Sequence, residues 1–342
     1  MNHNDFFSAI KTGKLSECYL FEGTEEYIKQ QGLVQLCAKV LPQGLEEMNL
    51  TDLTDPDAGT LIAAAETLPF MGEKRVVVVR ECTLLIAGRK AEDENKAAAF
   101  TEYIARIPPS TCLVFYVKGK ADGRKKLYTL LKKKKAIVDF SPMGDSECIS
   151  WAQKNMRRTG KQMDAMVASK LTFTVGRDAA LLKQEMDKLA SYLGERETVT
   201  PEDIDAVCTR SAECTVFQMV DAQVAGKNNE AFGLLRDMLR SGEDRIGILA
   251  MLLRQYRILY HMRCLMEERS PAESQAALLG IPPFAVSRTQ QQARQFNKAQ
   301  LRKAYDYLLQ LEYELKSGRV SQEGSAESAM LQLDGILQSD HA

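Results

Sequence analysis

Histidine is scarce in this chain: three occur in 342 residues. His3 and His341 sit near the ends, where chains are usually poorly ordered, so His261 is the one internal imidazole. That scarcity argues against a Ser-His-Asp or Cys-His catalytic centre and against a histidine-rich metal site. Zinc-type cysteine patterns are missing as well. The eight cysteines, at 18, 37, 82, 112, 148, 208, 214 and 264, include no CxxC pair and no cluster at zinc spacing, and most lie in apolar runs. They read as reduced, buried thiols. His261 and Cys264 form an HxxC on a predicted helix, but two ligands without a second pair read as structural, and no metal is expected. An excess of charge of one sign is also lacking. Lys plus Arg number 45 against 46 Asp plus Glu, a formal net charge of -1, which argues against a wholly basic nucleic-acid coat or an acidic disordered chain but leaves local patches open. Finally, the longest apolar run, around Ile248 to Leu253, falls far short of the ~18 residues that cross a bilayer. The N-terminus shows no basic-then-apolar signal pattern. The expectation is a soluble, cytoplasmic protein with no membrane partner.

What is present is an ordered change of pattern along the chain. At ~100–200 residues per domain the length suggests two or three domains. From Cys18 to about Phe140, short β-rich runs alternate with helical stretches. The runs are Cys18 to Phe21, Met48 to Leu53, Arg75 to Val79, Thr111 to Val117 and Ala136 to Phe140. Several are continuously apolar, as strands covered on both faces of a mostly parallel sheet should be, so residues 1–141 are expected to form an α/β domain. After Ser141-Pro142-Met143-Gly144 only helical periodicity remains. Helices are predicted at 145–158, 162–172 and 177–193, and then after Thr200-Pro201-Glu202-Asp203, where Thr200 can cap the first amides and Pro201 suits the first helical position. Residues 142–211 thus read as a small helical domain. Residues 212–342 are helical throughout. In 246–266, Leu249, Leu252, Tyr256, Leu259, Met262 and Met266 recur at three- and four-residue steps. A second long helix is predicted from Lys298 to Lys316, with Leu301, Tyr305, Leu308, Leu311 and Leu315 inward and Ser317-Gly318 as its stop. This segment is expected to be a bundle or an oligomerisation collar.

A glycine after the first strand raises the question of a phosphate site. A P-loop needs a glycine, four residues, then Gly-Lys-Ser/Thr, because the backbone must curl around the phosphates, the lysine must reach them and the hydroxyl must hold magnesium. Here only Gly23 and Lys29 fit. Ile28 stands where the second glycine should be and Gln30 where the hydroxyl should be, while Glu25 and Glu26 bring two negative charges to the phosphate position. After the valine strand an ATPase would place an aspartate to hold the ion; this chain has Arg80-Glu81. Several independent parts are absent together, so the site is expected to be inactive, and no cofactor is expected. The rival reading is an active ATPase that uses Lys29 and a displaced Glu81.

Two further segments stand out. Thr67-Leu68-Pro69-Phe70-Met71-Gly72 is a loop by its Pro and Gly, yet carries three large apolar side chains. Leu68, Phe70 and Met71 could tuck beneath the sheet or form an exposed plug for a partner's pocket. From Arg124 to Lys135 lie seven basic residues (Arg124, Lys125, Lys126, Lys132, Lys133, Lys134 and Lys135) and no acid. They could be a solvated face or a surface for DNA phosphates, and with Tyr128 as the one interleaved aromatic, base stacking is not indicated. Arg254 and Arg257 share a helix face and read as ion pairs within the bundle.

Five segments together resemble the δ subunit family of the bacterial DNA polymerase III clamp loader. They are YLFEGTEEY at 19–27, AAETLPFMGEKRVVVV at 64–79, DGRKKLYTLLKK at 122–133, ILAMLLRQYRILY at 248–260 and LKSGR at 315–319, in the family's order over nearly the whole chain. The resemblance implies a fold of α/β plus all-α class: an AAA+-like domain with a parallel sheet at 1–141, a helical lid at 142–211 and a helical collar at 212–342. It implies no hydrolysis of ATP by this subunit, which is a non-catalytic part of a DNA-directed DNA polymerase complex. The implied partners are the β sliding clamp, the γ/τ and δ′ subunits of the clamp loader through the collar, and primed DNA within the complex. By the same resemblance, Leu68, Pro69, Phe70 and Met71 align with the clamp-binding element, with Leu68 and Phe70 as anchors and Met71 as an adaptable neighbour. The family element often has Leu-Phe adjacent, whereas here Pro69 separates the two. A trans-acting arginine finger is not implied, since no arginine here lies in the Ser-Arg-Cys motif that partner subunits carry.

Overall fold

The computed structural model describes residues 1–87 and 94–338, so His341 lies outside the described residues. The chain divides into two compact units, Met1–Met143 and Gly144–Ala342; the segments expected as lid and collar both fall within the second.

The first unit runs α1 (His3–Thr12), β1 (Cys18–Glu22), α2 (Glu26–Val40), α3 (Glu46–Asn49), β2 (Leu50–Thr54), α4 (Ala58–Glu66), β3 (Arg75–Arg80), α5 (Glu94–Ala105), β4 (Thr111–Tyr116), α6 (Lys126–Lys133) and β5 (Ile137–Asp139). The strands form one parallel sheet in the order β2-β3-β4-β1-β5. Its interior strands are apolar at successive positions because both faces are covered, and the alternation of side chains sorts them. On one face Cys18, Leu20, Val77, Val79, Leu113 and Phe115 pack with residues of α4, α5 and α6. On the other, Phe6 of α1 meets Tyr19, Phe21 and Phe140 edge-on, with ring centroids 5.0–6.2 Å apart. Strand β2 is an edge strand, and its exposure alternates accordingly. The run expected as a strand from Met48 begins instead with the short helix α3. Met48 is exposed and Asn49 is turned inward, so the apolar character of Met48 is not a strand signal.

The second unit is built from helices among the described residues, with one isolated parallel bridge between Gln162 and Thr198. It comprises α7 (Asp145–Arg158), α8 (Ala165–Val175), α9 (Ala179–Leu193), α10 (Pro201–Val207), α11 (Ala212–Val224), α12 (Asn228–Arg240), α13 (Arg245–Glu267), α14 (Ala272–Leu279), α15 (Pro283–Arg294), α16 (Lys298–Lys316) and α17 (Ser325–Gln338). Helix α8 starts at 165, not 162, because the Asp164 carboxylate accepts from the Val167 amide and so fixes the N-cap there; Asp178 does the same for α9. At α10 the capping box forms as its residues imply, with Thr200 and Asp203 satisfying each other's backbone amides and Pro201 at the first position. Helices α13 and α16 share one core with α11, α12 and α17. On α16 the inward set is Leu301, Ala304, Leu308, Leu311 and Leu315. Tyr305, expected inward, is only half-buried and stacks on Tyr260 with centroids 6.4 Å apart, since the small Ala304 takes the core position beside it.

Candidate functional site

The loop between α4 and β3 is held in place by neighbours on both sides. At its start, Thr67 closes α4 by donating from its backbone amide and hydroxyl to the Ala63 carbonyl. The Thr67 carbonyl in turn accepts from Arg75 Nη1 at 3.0 Å, and Arg75 Nη2 reaches Thr51 Oγ1 at 2.8 Å. Further on, the buried Asn49 carboxamide both donates to the Phe70 carbonyl (3.0 Å) and accepts from the Phe70 amide (2.7 Å). Met71 lies in the left-handed region at φ 48°, an uncommon conformation for a residue with a side chain. Gly72 backs onto Pro42 so closely that a Cβ would come within 2.9 Å of Pro42 Cγ. Although the backbone is anchored, the side chains face outward. Leu68 is 80 %, Phe70 48 % and Met71 78 % exposed, with Met48 and Leu50 also exposed on either side of Asn49. Of the two arrangements open to these residues, the structure places them outside rather than beneath the sheet. Asn49 and Arg75 carried no signal in the sequence, because what they bind is backbone and a hydroxyl remote from them in the chain.

Around Gly23, where a phosphate loop would begin, the backbone packs closely on itself. Gly23, at φ 118°, donates its amide to the Gly119 carbonyl at 2.7 Å, and a Cβ there would stand 2.2 Å from the Phe140 carbonyl oxygen. The Lys29 side chain is fully buried. Its ammonium donates to Glu26 Oε1 at 2.5 Å and to the Val117 carbonyl at 2.8 Å, and it lies 5.0 Å from the centre of the Tyr116 ring. Glu26 accepts from the Tyr116 hydroxyl through its other oxygen at 2.9 Å, and burial, then the carboxylate beside it, push that phenol up. Arg80 also lies over the Tyr116 ring, 4.7 Å from its centre, and binds Asp52 through both carboxylate oxygens. Glu25 is buried, with its amide on the Phe140 carbonyl. The two acids expected to lie where phosphates would sit thus differ: Glu25 is inside the fold, and Glu26 neutralises Lys29. Glu81 follows β3 at φ 53°.

The basic block surrounds α6. Leu127 and Leu131 bury its inner face, while Lys126, Lys132, Lys133, Lys134 and Lys135 are exposed and Lys125 is half-buried. Arg124 is committed to Asp122, whose carboxyl the guanidinium holds down to about 2. In the second unit Arg254 pairs with Glu213, whereas Arg257 and His261 are exposed. Cys264 is half-buried. Among the described residues no group of three His, Cys, Asp or Glu side chains is placed to hold a metal ion, and no helix is long and apolar enough to cross a membrane.

The chain thus pairs a parallel α/β unit with a helical unit, a fold similar to that of a clamp loader subunit. The family model described as DNA polymerase III, delta subunit, matches residues 19–141, and the model of that family's C-terminal domain matches residues 213–333. The chain belongs to the DNA polymerase III delta family. It is 29 % identical over 333 residues to DNA polymerase III subunit delta of Bacillus subtilis (strain 168), covering 96 % of each chain. In structure it is similar to the Bacillus subtilis DNA clamp loader delta protein, with a TM-score of 0.55 and 28 % identity over 97 % of this chain and 99 % of that one.

Proposed function

We propose that this clamp loader component binds the β sliding clamp through Leu68, Pro69, Phe70 and Met71 and holds the ring open, without hydrolysing ATP itself. The observation that carries the reading is the exposure of three large apolar side chains on an anchored loop, since such a patch has no reason to stay in water unless a partner covers it. Opening follows from differential binding: a ligand moves a ring from closed to open only if it contacts the open form better. Support for the absence of hydrolysis is chemical. The ammonium that would meet a phosphate is neutralised by Glu26, and an arginine adjoins the acid that would hold magnesium. Residues 142–211 and 212–342 are read as lid and collar, the collar joining γ/τ and δ′ subunits, with primed DNA reached only in the assembled complex.

The test is a clamp-binding titration with Leu68→Ala, Phe70→Ala. Truncating an interface anchor typically costs about 2 kcal/mol or more, so the pair weakens binding at least ~30-fold while the protein stays folded. Wild-type affinity in the double variant would remove the assignment. Saturable, magnesium-dependent nucleotide binding with hydrolysis would favour an ATPase using Lys29 and Glu81 instead.

A further inference from the structure

We propose that Asn49 is a positioning residue for the partner-binding loop, holding it in its outward conformation before the partner arrives; this rests on the clamp-binding reading above. The Asn49 carboxamide is fully buried, and the hydrogen bonds around it use its whole donor capacity. Its amide group donates to the Leu45 carbonyl at 3.1 Å and the Phe70 carbonyl at 3.0 Å, and its oxygen accepts from the Phe70 amide at 2.7 Å. A side chain here stands in for a neighbouring strand: it gives Phe70 both bonds that a ladder partner would give. No carboxylate or aliphatic group of similar size can do this, because an ionised carboxylate cannot donate and an aliphatic chain can do neither.

The need for such a device follows from what the loop carries. Leu68, Phe70 and Met71 would gain by turning away from water, so a free loop would spend its time collapsed against nearby apolar surface such as the exposed Met48 and Leu50. Fixing the backbone at Phe70 from Asn49, and at Thr67 from the buried Arg75, leaves the side chains outward and removes much of the ordering cost at binding. If only a fraction of molecules present the loop correctly, the apparent affinity falls by that fraction, chiefly through slower association.

The experiment compares Asn49→Asp, which keeps shape and acceptor but loses the donor, and Asn49→Leu, which loses both, with wild type and with Leu68→Ala, Phe70→Ala. Each full-length protein is measured for association and dissociation on immobilised sliding clamp, for amide hydrogen exchange in peptides covering 67–72, and for thermal midpoint. The expected result is faster exchange concentrated in the loop and roughly tenfold weaker clamp binding in both Asn49 variants, through association, with the thermal midpoint lowered by a few degrees because buried backbone groups lose a partner. Unchanged loop exchange, or accelerated exchange with wild-type association, overturns the positioning role. A general loss of exchange protection across the sheet also overturns it, since Asn49 would then be an ordinary core residue. Wild-type affinity in the Leu68, Phe70 variant would instead sink the clamp-binding reading itself, an outcome separate from those of the Asn49 variants.

Discussion

Lys29 shows how a residue can be placed correctly in the chain and still point elsewhere. Its spacing from Gly23 is that of a phosphate-binding lysine, and spacing says nothing about which way an ammonium turns. Glu26, one helical turn before it, supplies the counter-charge. The two members are unequally buried: Lys29 is wholly inside, whereas the Glu26 side chain is 48 % exposed. That asymmetry fixes the ranking of two substitutions. Glu26→Gln leaves a buried ammonium without a counter-charge and is expected to cost about 3–5 kcal/mol. In Lys29→Met the charge left behind is a carboxylate that water already reaches, and the cost is about 1–2 kcal/mol. Urea unfolding of the two variants checks this, and a larger loss in Lys29→Met would contradict the account. The same limit on spacing applies at the binding loop. That Leu68, Phe70 and Met71 lie on a loop could be read from its Pro and Gly, and their outward direction only from the family resemblance, whereas Asn49, 21 positions away, contributes by binding the Phe70 backbone, which leaves no pattern in the side chains.

At the scale of elements, legibility followed the strength of the local signal. The valine strand and the long helix from Lys298 to Lys316 were readable because unbroken apolarity and a three-to-four-residue period each admit one solution. The short helix α3 was not, since four residues hold no full period and its apolar Met48 imitates a strand start. Turns and caps give the sharpest tests here. Gly23→Ala must place a Cβ against the Phe140 carbonyl at a φ of 118°, and a loss of more than ~2 kcal/mol is expected in denaturant unfolding because both atoms at the clash are backbone-fixed. At α10, the Arg196 hydrogen bond, helped by the Thr200 amide and hydroxyl, holds the Asp203 carboxyl below the usual range. A depressed folded-state value means stability that is fully present above the unfolded value of about 4 and is lost as pH falls through the folded one. Asp203→Ala is therefore expected to cost about 1 kcal/mol at pH 7, with the gap to wild type narrowing as pH falls below the unfolded value of about 4, as urea midpoints at pH 7 and across the acid range would report. For α6, replacing Lys132 to Lys135 by glutamine is expected to reduce the salt slope of DNA binding by the complete complex by up to ~0.9 per lysine; an unchanged slope assigns the block to solvation alone.

For the molecule as a whole, a net charge of -1 conceals an uneven distribution, with the block at 124–135 basic and charge elsewhere often held in local pairs such as Lys183–Asp187 and Arg302–Asp306. Apolar side chains also reach the surface of the second unit. On α16 the inward stripe leaves Leu309 and Tyr313, four residues apart and therefore on one face, 45 % and 54 % exposed, and Leu331 of α17 is exposed as well. If 212–342 is the collar that joins the other clamp loader subunits, this is where a neighbouring helix would sit. Leu309→Ser, Tyr313→Ser is then expected to weaken assembly at least ~10-fold, while thermal stability shifts little because exposed positions seldom contribute more than about 0.5 kcal/mol. The comparison is Leu181→Ser, Tyr192→Ser on α9, where the exposure is similar, 52 % and 55 %, but the segment lies outside the collar. Sedimentation of the reconstituted complex distinguishes the two. Loss of assembly in the α16 pair alone supports the collar reading. Equal behaviour of both pairs would move the contact surface elsewhere and leave the face of α16 as ordinary exposed apolar area.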